Sequence, residues 1–228
     1  SAASFLNLIT PFRGGAGFRA WYMKRKYGLS YSEFISSLFG NYVVVFLVTS
    51  FITLISIAVV YVQYNFFDIY VTLVFLGLFL ATLILVFLPK IEFGSGFVFI
   101  KKINLVLEGW NLISKNRLLI IKLALIQLIN IFLSALILFL GFLSLDFEIS
   151  FVKVLFMSVF SIFATFVNIT PGSLGITESF NIFAGLLIDV PVEITLLVSL
   201  VKRAIELLIL FIFGIIAKIT LLRKLKYV

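Results

Sequence analysis

The 228-residue sequence predicts an all-α polytopic membrane protein with about five full transmembrane helices, two Pro/Gly-broken or re-entrant segments and one interfacial amphipathic helix. Three observations carry that prediction. Hydrophobic residues make up 63% of the chain and charged residues 12%, with a mean hydropathy of +1.25, whereas a soluble domain keeps roughly a quarter of its residues charged to wet its surface. Apolar runs that approach or exceed the ~18 to 20 residues needed to cross a bilayer recur along the whole length. Two stretches, around Thr10-Pro11 and Thr170-Pro171, interrupt these runs with proline and glycine.

The elements follow in order. Ser1 to Gly40 is mixed, with Gly14, Gly15 and Gly17 followed by basic and aromatic residues, and is too interrupted for a straight span. Val43 to Tyr61 is almost wholly apolar and predicts the first crossing; Asn65 and Asp68 mark the turn after it. Ile69 to Leu88 predicts the second, stopped by Pro89, which lacks the amide a continuing helix needs. From Phe99 to Ile113 apolar residues recur at helical spacing (Phe99, Ile103, Val106, Trp110, Ile113) opposite Lys101, Lys102 and Glu108, the pattern of a helix lying in the interface. Leu118 to Leu145 and Phe151 to Val167 predict the third and fourth crossings. After the break at Asn168 to Asp189, whose short apolar stretch is too brief to span, Val192 to Leu222 predicts the last, with Arg223, Lys224 and Lys226 at its end. The sequence opens at Ser1 without a cleavable leader pattern. The expectation is a single integral membrane domain over residues 1–228 that lacks N-terminal helices of a longer protein.

The formal charge of +8 is concentrated beside apolar spans, where topology and anionic headgroups account for it and nucleic acid is not required. With no Cys and no His, the chain has no thiol nucleophile, no disulfide, no imidazole base and few ligands for a transition metal. No cofactor, no metal and no catalytic residue is expected, and an enzyme is the weaker class.

The two broken regions share a register. Thr10-Pro11, Gly15 and Glu33 match Thr170-Pro171, Gly175 and Glu193, each pair 160 residues apart. Each copy runs from a break through a short helix to an acidic residue that opens a long span, as in the repeats of transporters. Four crossings between the copies place both breaks on one side, which the basic residues Arg13, Arg19, Lys24, Arg25 and Lys26 make cytoplasmic. Five crossings then leave the basic tail on the opposite side, against the same rule.

Few residues can carry chemistry. Pro171, Gly172, Ser173 and Gly175 open a helix, so their backbone either binds an anion such as a lipid phosphate or simply makes a tight turn. The loop lacks the Gly-Lys-Ser/Thr ending of a nucleotide-binding loop. Glu178, in the first turn, either complements the helix dipole or meets an amine headgroup or a proton. Lys202, Arg203 and Glu206 lie within the last apolar run, where each charge costs about 2.5 to 3.5 kcal/mol on insertion scales. Glu206 is i+4 from Lys202 and i+3 from Arg203. It cannot neutralise both, so the surplus positive charge is expected to face a polar cavity or an anionic headgroup. Gln127, Asn130, Ser134 and Gly141 share one face of the third crossing and predict helix packing. Arg13 and Arg19 stand out near the first break, among aromatic residues that also suit a plain interfacial anchor.

Taken together, Thr10-Pro-Phe-Arg-Gly-Gly-Ala-Gly-Phe-Arg19 and Thr170-Pro-Gly-Ser-Leu-Gly-Ile-Thr-Glu178, with Arg203 in the next helix, resemble the flippase-like membrane region of the lysylphosphatidylglycerol synthase family. The resemblance covers nearly the whole chain. It places Pro171, Gly172, Gly175, Glu178 and Arg203 in a late motif and Arg13, Gly14 and Arg19 in an early one. Gly15-Ala16 and Gly40-Asn41 depart from the family's glutamate and Glu-Arg positions. The resemblance implies a region that moves or accommodates a phospholipid such as lysyl-phosphatidylglycerol while a separate soluble domain makes it; some relatives are linked to glycolipid or polyprenyl-phosphate glycan assembly. The expected function is therefore a lipid translocator of the cell (plasma) membrane acting on an anionic or aminoacylated phospholipid or a polyprenyl-phosphate-linked lipid. Its headgroup-binding residues are Arg13, Arg19, Pro171, Gly172, Ser173, Gly175, Glu178, Lys202, Arg203 and Glu206. The alternative is a non-transporting partner that presents lipid to a transferase. Expected partners are membrane lipids, with a transferase or a second copy of the chain in addition, and no nucleic acid.

Overall fold

The computed structural model describes residues 14–87, 104, 107–111, 113–167 and 170–225, with the side chains of 210 and of 213 onward left aside. Among these residues every regular element is helical. The helices are α1 (Gly14–Tyr27), α2 (Tyr31–Tyr64), α3 (Ile69–Phe87), α4 (Arg117–Leu143), α5 (Phe151–Ala164), α6 (Ile176–Leu187) and α7 (Val192–Leu225), with a 3-10 turn at Pro171–Ser173 before α6. Three of them, α2, α3 and α4, are long and apolar enough to cross a membrane.

The boundaries have local causes. Helix α2 opens at Tyr31, twelve residues before the apolar run begins, because Ser30 and Glu33 form a reciprocal capping box: the Ser30 side chain accepts from the Glu33 amide and the Glu33 carboxylate accepts from the Ser30 amide at 2.8 Å. It ends at Asn65, which takes the left-handed conformation that asparagine tolerates. Asp68 then starts α3, its Oδ1 accepting from the Val71 amide at 2.8 Å. Ser150 caps α5 in the same way through the Lys153 amide.

Helix α5 has 14 residues, which at about 1.5 Å per residue is ~21 Å, and it stops three residues before the end expected at Val167. The chain turns at Thr165 to Val167 instead. Helix α6, with 12 residues, is shorter again, at ~18 Å. The 34-residue α7 has length to spare.

Two compact units divide the chain: residues 23–133 form one, and residues 1–22 with 134–228 form the other. Within residues 23–133, α2 packs against α3, with Phe51 stacked on Phe79 at 5.9 Å. A column of small polar residues on α2 (Thr49, Ser50, Thr53, Ser56) is fully buried. The hydroxyls of Ser50, Thr53 and Ser56 donate to carbonyls of the preceding turn, as for Thr53 on Thr49 at 2.7 Å. Gln127 on α4 donates to Thr49 at 3.0 Å, the packing role its face predicted; Asn130 is exposed.

Of the expected interfacial helix, residues 99–103 lie outside the described residues, while 107–111 and 113–114 are helical. The amphipathic pattern holds there, with Leu107, Trp110 and Ile113 buried and Glu108 exposed. The apolar face meets protein: Trp110 joins Val43 and Val44 in a core cluster. The approach is close enough that a Cβ on Gly109 would lie 1.8 Å from the Ser36 carbonyl oxygen, and one on Gly40 would lie 2.3 Å from that of Gly109. Gly40 thus has a packing reason to be a glycine.

Replacing Gly109 with Ala is expected to lower stability by about 1 to 3 kcal/mol, because backbone rather than a flexible side chain must move. Gly77→Ala, whose Cβ would meet nothing within 4 Å, is expected to be neutral or to gain up to ~1 kcal/mol of helix propensity. Thermal unfolding of the detergent-solubilised protein compares the two.

Candidate functional site

The site lies in the unit formed by residues 1–22 and 134–228, where α6 packs between α5 and α7. Both contacts are antiparallel. On the α7 side, Glu178 faces Arg203, Asn181 faces Ser199 and Gly185 faces Thr195, so residue numbers rise on one helix as they fall on the other. On the α5 side, Ser161 meets Asn181 near the break, and the Lys153 ammonium donates to the Ile188 carbonyl at 3.0 Å at the far end. The three helices therefore share a polar seam. Asn181 is its hub, accepting from the Ser161 hydroxyl through Oδ1 and donating to Ser199 Oγ at 3.0 Å through Nδ2, with 1% of its surface exposed. In a setting without competing water such a fully satisfied network fixes the register of the helices.

The break before α6 is made by three left-handed residues in four: Gly172 (φ 58°), Ser173 (φ 57°) and Gly175 (φ 79°). Glycine takes this conformation freely. Ser173 takes it at a cost of roughly 1 to 2 kcal/mol and is buried. Pro171 sits at the first position of the 3-10 turn, where its missing amide is harmless. Thr170 Oγ1 donates to the Leu174 carbonyl at 2.8 Å and closes the loop. Gly175 caps α6 with no side-chain hydrogen bond.

Against this loop stands the charge cluster of α7. Arg203 Nη2 donates to the Gly172 carbonyl, and its Nε lies 3.5 Å from Glu178 Oε1. Both side chains are nearly buried, 12% exposed for Arg203 and 8% for Glu178. The pair is incomplete: Glu178 Oε2 and Arg203 Nε are buried and make no hydrogen bond among the described residues. Glu206, more open to its surroundings, reaches Lys202 Nζ at 3.9 Å and Arg203 Nη1 at 4.0 Å. The buried Lys202 ammonium also donates to Ser134 Oγ on α4 at 3.3 Å.

Of the residues expected to bind a headgroup, Pro171, Gly172, Ser173, Gly175, Glu178, Lys202, Arg203 and Glu206 come together. The surplus positive charge expected on α7 is offset, since Glu178 arrives from another helix and makes two carboxylates for two cations. Arg19 is exposed on α1 and makes no ion pair among the described residues; Arg13 lies outside them. Asn181, Ser161 and Ser199 are seam residues that the sequence reading missed. The available signal was spacing: Asn181 is i+3 from Glu178, and Ser199 precedes Arg203 by one turn. Among the described residues no cluster of His, Cys, Asp and Glu could hold a metal ion.

Residues 1–214 match the sequence profile of the lysylphosphatidylglycerol synthase TM region. The chain belongs to that family. No curated protein and no solved structure matches it. Membership makes it a membrane protein, and the fold brings together the break, Glu178 and Arg203.

Removing Arg203 alone is expected to be costly, because the Glu178 carboxylate stays buried beside the loop. Breaking a buried pair from one side costs about 3 to 5 kcal/mol, and replacing both partners by neutral groups costs far less. Arg203→Gln should therefore unfold at a lower temperature than the Glu178→Gln/Arg203→Gln double variant, as read by thermal unfolding in detergent.

Proposed function

We propose that this protein is a lipid translocator of the plasma membrane whose substrate is a phospholipid with both a phosphate and an ammonium in its headgroup. Aminoacylated phospholipids belong to this class. The observation that carries the reading is the incomplete Glu178–Arg203 pair: a buried donor and a buried acceptor, both unused, on groups 3.5 Å apart. A phosphate oxygen supplies an acceptor for Arg203, and an ammonium supplies a donor for Glu178. Insertion of such a headgroup replaces one pair by two and leaves the net charge of the site unchanged, avoiding the large cost of an unpaired charge at membrane depth.

The remaining residues have supporting roles in this reading. Arginine suits phosphate because its planar fork gives two parallel hydrogen bonds. Lys202 and Glu206 lie one turn and less from the pair and set its potential. The amides that open α6 add partial positive charge. Irregular backbone at membrane depth is tolerated where it is buried in protein or lines a cavity, which suits the Pro171 to Gly175 loop. Arg13 and Arg19 would meet headgroup phosphates at the cytoplasmic interface before entry. A polyprenyl phosphate offers the phosphate without the ammonium and leaves Glu178 displaced from Arg203, so it fits this site less well. A transferase that makes or uses the lipid, and a second copy of the chain, are the protein partners this role would call for.

The test uses proteoliposomes with a fluorescent aminoacyl-phosphatidylglycerol in both leaflets and a membrane-impermeant quencher outside. The wild-type chain is expected to expose the inner-leaflet pool. The Glu178→Gln/Arg203→Gln variant, with its fold checked by thermal unfolding, is expected to lose at least about tenfold of that rate, the equivalent of one charged contact of ~1.4 kcal/mol. Equal rates would remove the pair from the transport path. No transport by the wild type, with transferase co-purification, would favour a lipid-presenting partner.

A further inference from the structure

Helix lengths and the placement of charge between helices carry a further step. We infer that the chain is an inverted-topology duplication, in which the α5–α6 hairpin dips into the membrane from the non-cytoplasmic face and the α1 segment belongs to the cytoplasmic face. This assignment does not depend on which molecule Arg203 binds.

The first support is the hairpin. Helices of 14 and 12 residues, ~21 Å and ~18 Å long, both fall short of a hydrocarbon core of about 30 Å. They lie antiparallel, joined by the left-handed break, with the Lys153–Ile188 contact at the open end and Ser161–Asn181 toward the tip. A pair of half-crossings that turns back on itself enters and leaves by one face. Four full crossings then remain: α2, α3, α4 and α7.

Charge supplies the second support. With four crossings, the described segments 14–27, 107–111, 113–117 and 223–225 fall on one face, and 65–68, 144–153 and 188–193 on the other. The first set holds eight Lys and Arg beside one acidic residue, Glu108; the second holds one, Lys153, beside five acidic residues (Asp68, Asp146, Glu148, Asp189, Glu193). That is the asymmetry the positive-inside rule requires, and it removes the conflict that a fifth crossing creates for the basic tail.

Third, the echo at 160 residues is matched by the helices. Both α2 and α7 have 34 residues with a glutamate in the first turn, Glu33 and Glu193. Each follows a short helix, of 14 residues for α1 and 12 for α6, ended by a left-handed residue, Gly28 (φ 69°) or Asp189 (φ 57°). Three crossings, α2, α3 and α4, lie between the start of the first copy at α1 and the start of the second at α6. The odd number makes the second copy run in the opposite sense to the first. Arg203, eleven residues into α7, lies ~16 Å along it, near half the depth of the core. Inverted repeats of broken helices around a mid-membrane site are the architecture of alternating access.

The chain contains no cysteine, so single-cysteine variants can be labelled without background. In cells treated with a membrane-impermeant maleimide, Phe67→Cys, Glu148→Cys and Glu193→Cys are expected to react from outside. Lys24→Cys and Lys115→Cys should react only after permeabilisation; all five positions are exposed. Leu174→Cys, at the hairpin tip, is expected to react at least about tenfold more slowly than Lys115→Cys after permeabilisation, because it lies at membrane depth. Labelling of Glu148→Cys and Glu193→Cys from opposite faces would overturn the hairpin. So would Leu174→Cys reacting as fast as Lys115→Cys, which marks α5 as a full crossing. Lys24→Cys and Glu193→Cys reacting from the same face would overturn the inversion.

Discussion

A hydrocarbon interior offers no hydrogen bonds, so any charge or bare backbone placed there must bring its partner with it. The unit built from α5, α6 and α7 follows from that constraint. Arg203 answers the Gly172 carbonyl exposed by the break, and Glu178 answers Arg203. Asn181 answers two serines on two other helices. Without the arginine the loop would expose a carbonyl and a carboxylate, and without the loop the arginine would have no reason to lie eleven residues inside an apolar helix. Fold and candidate site are thus one set of compensations, with Glu178 on the short α6 meeting the charges carried by the long α7.

The other unit meets the same constraint with neutral groups. The buried Ser50, Thr53 and Ser56 on α2 donate within their own helix, and Gln127 reaches across to Thr49. Small side chains and glycines there permit close helix approach, most clearly at Gly40 and Gly109. Among its described residues there is no buried ion pair. Chemistry and scaffold are in this sense divided between the two units, each using polar residues differently.

Much of this was legible in the letters because hydropathy is a local property. Helix α3 was read to within one residue at its end, and the start of α7 was read correctly. The site residues on α6 and α7 stood out as charges in apolar runs. What the sequence hid was either cooperative or long-range. The capping box at Ser30 and Glu33 carries α2 twelve residues beyond its apolar run, since a satisfied helix start outweighs a mixed composition. The end of α5 at Ala164 is not marked by proline or glycine, and Thr165, Phe166 and Val167 form a turn although they prolong the apolar run. The charge balance of the site was hidden too, as Glu178 and Arg203 are 25 positions apart and only the antiparallel packing of α6 on α7 brings them together.

The Gly172 carbonyl has one more consequence. Arg203 is held in part by an atom that every amino acid at position 172 would still possess, so no change of side chain deletes that acceptor. Only a change in the path of the main chain removes it. Scanning substitutions along 170–175 would report on shape and leave this contact uncounted, whereas a one-residue insertion or deletion in the loop would swing the carbonyl away at a stroke. Among relatives, then, differences in what the site accepts are to be sought in the length of this loop as much as in its spelling.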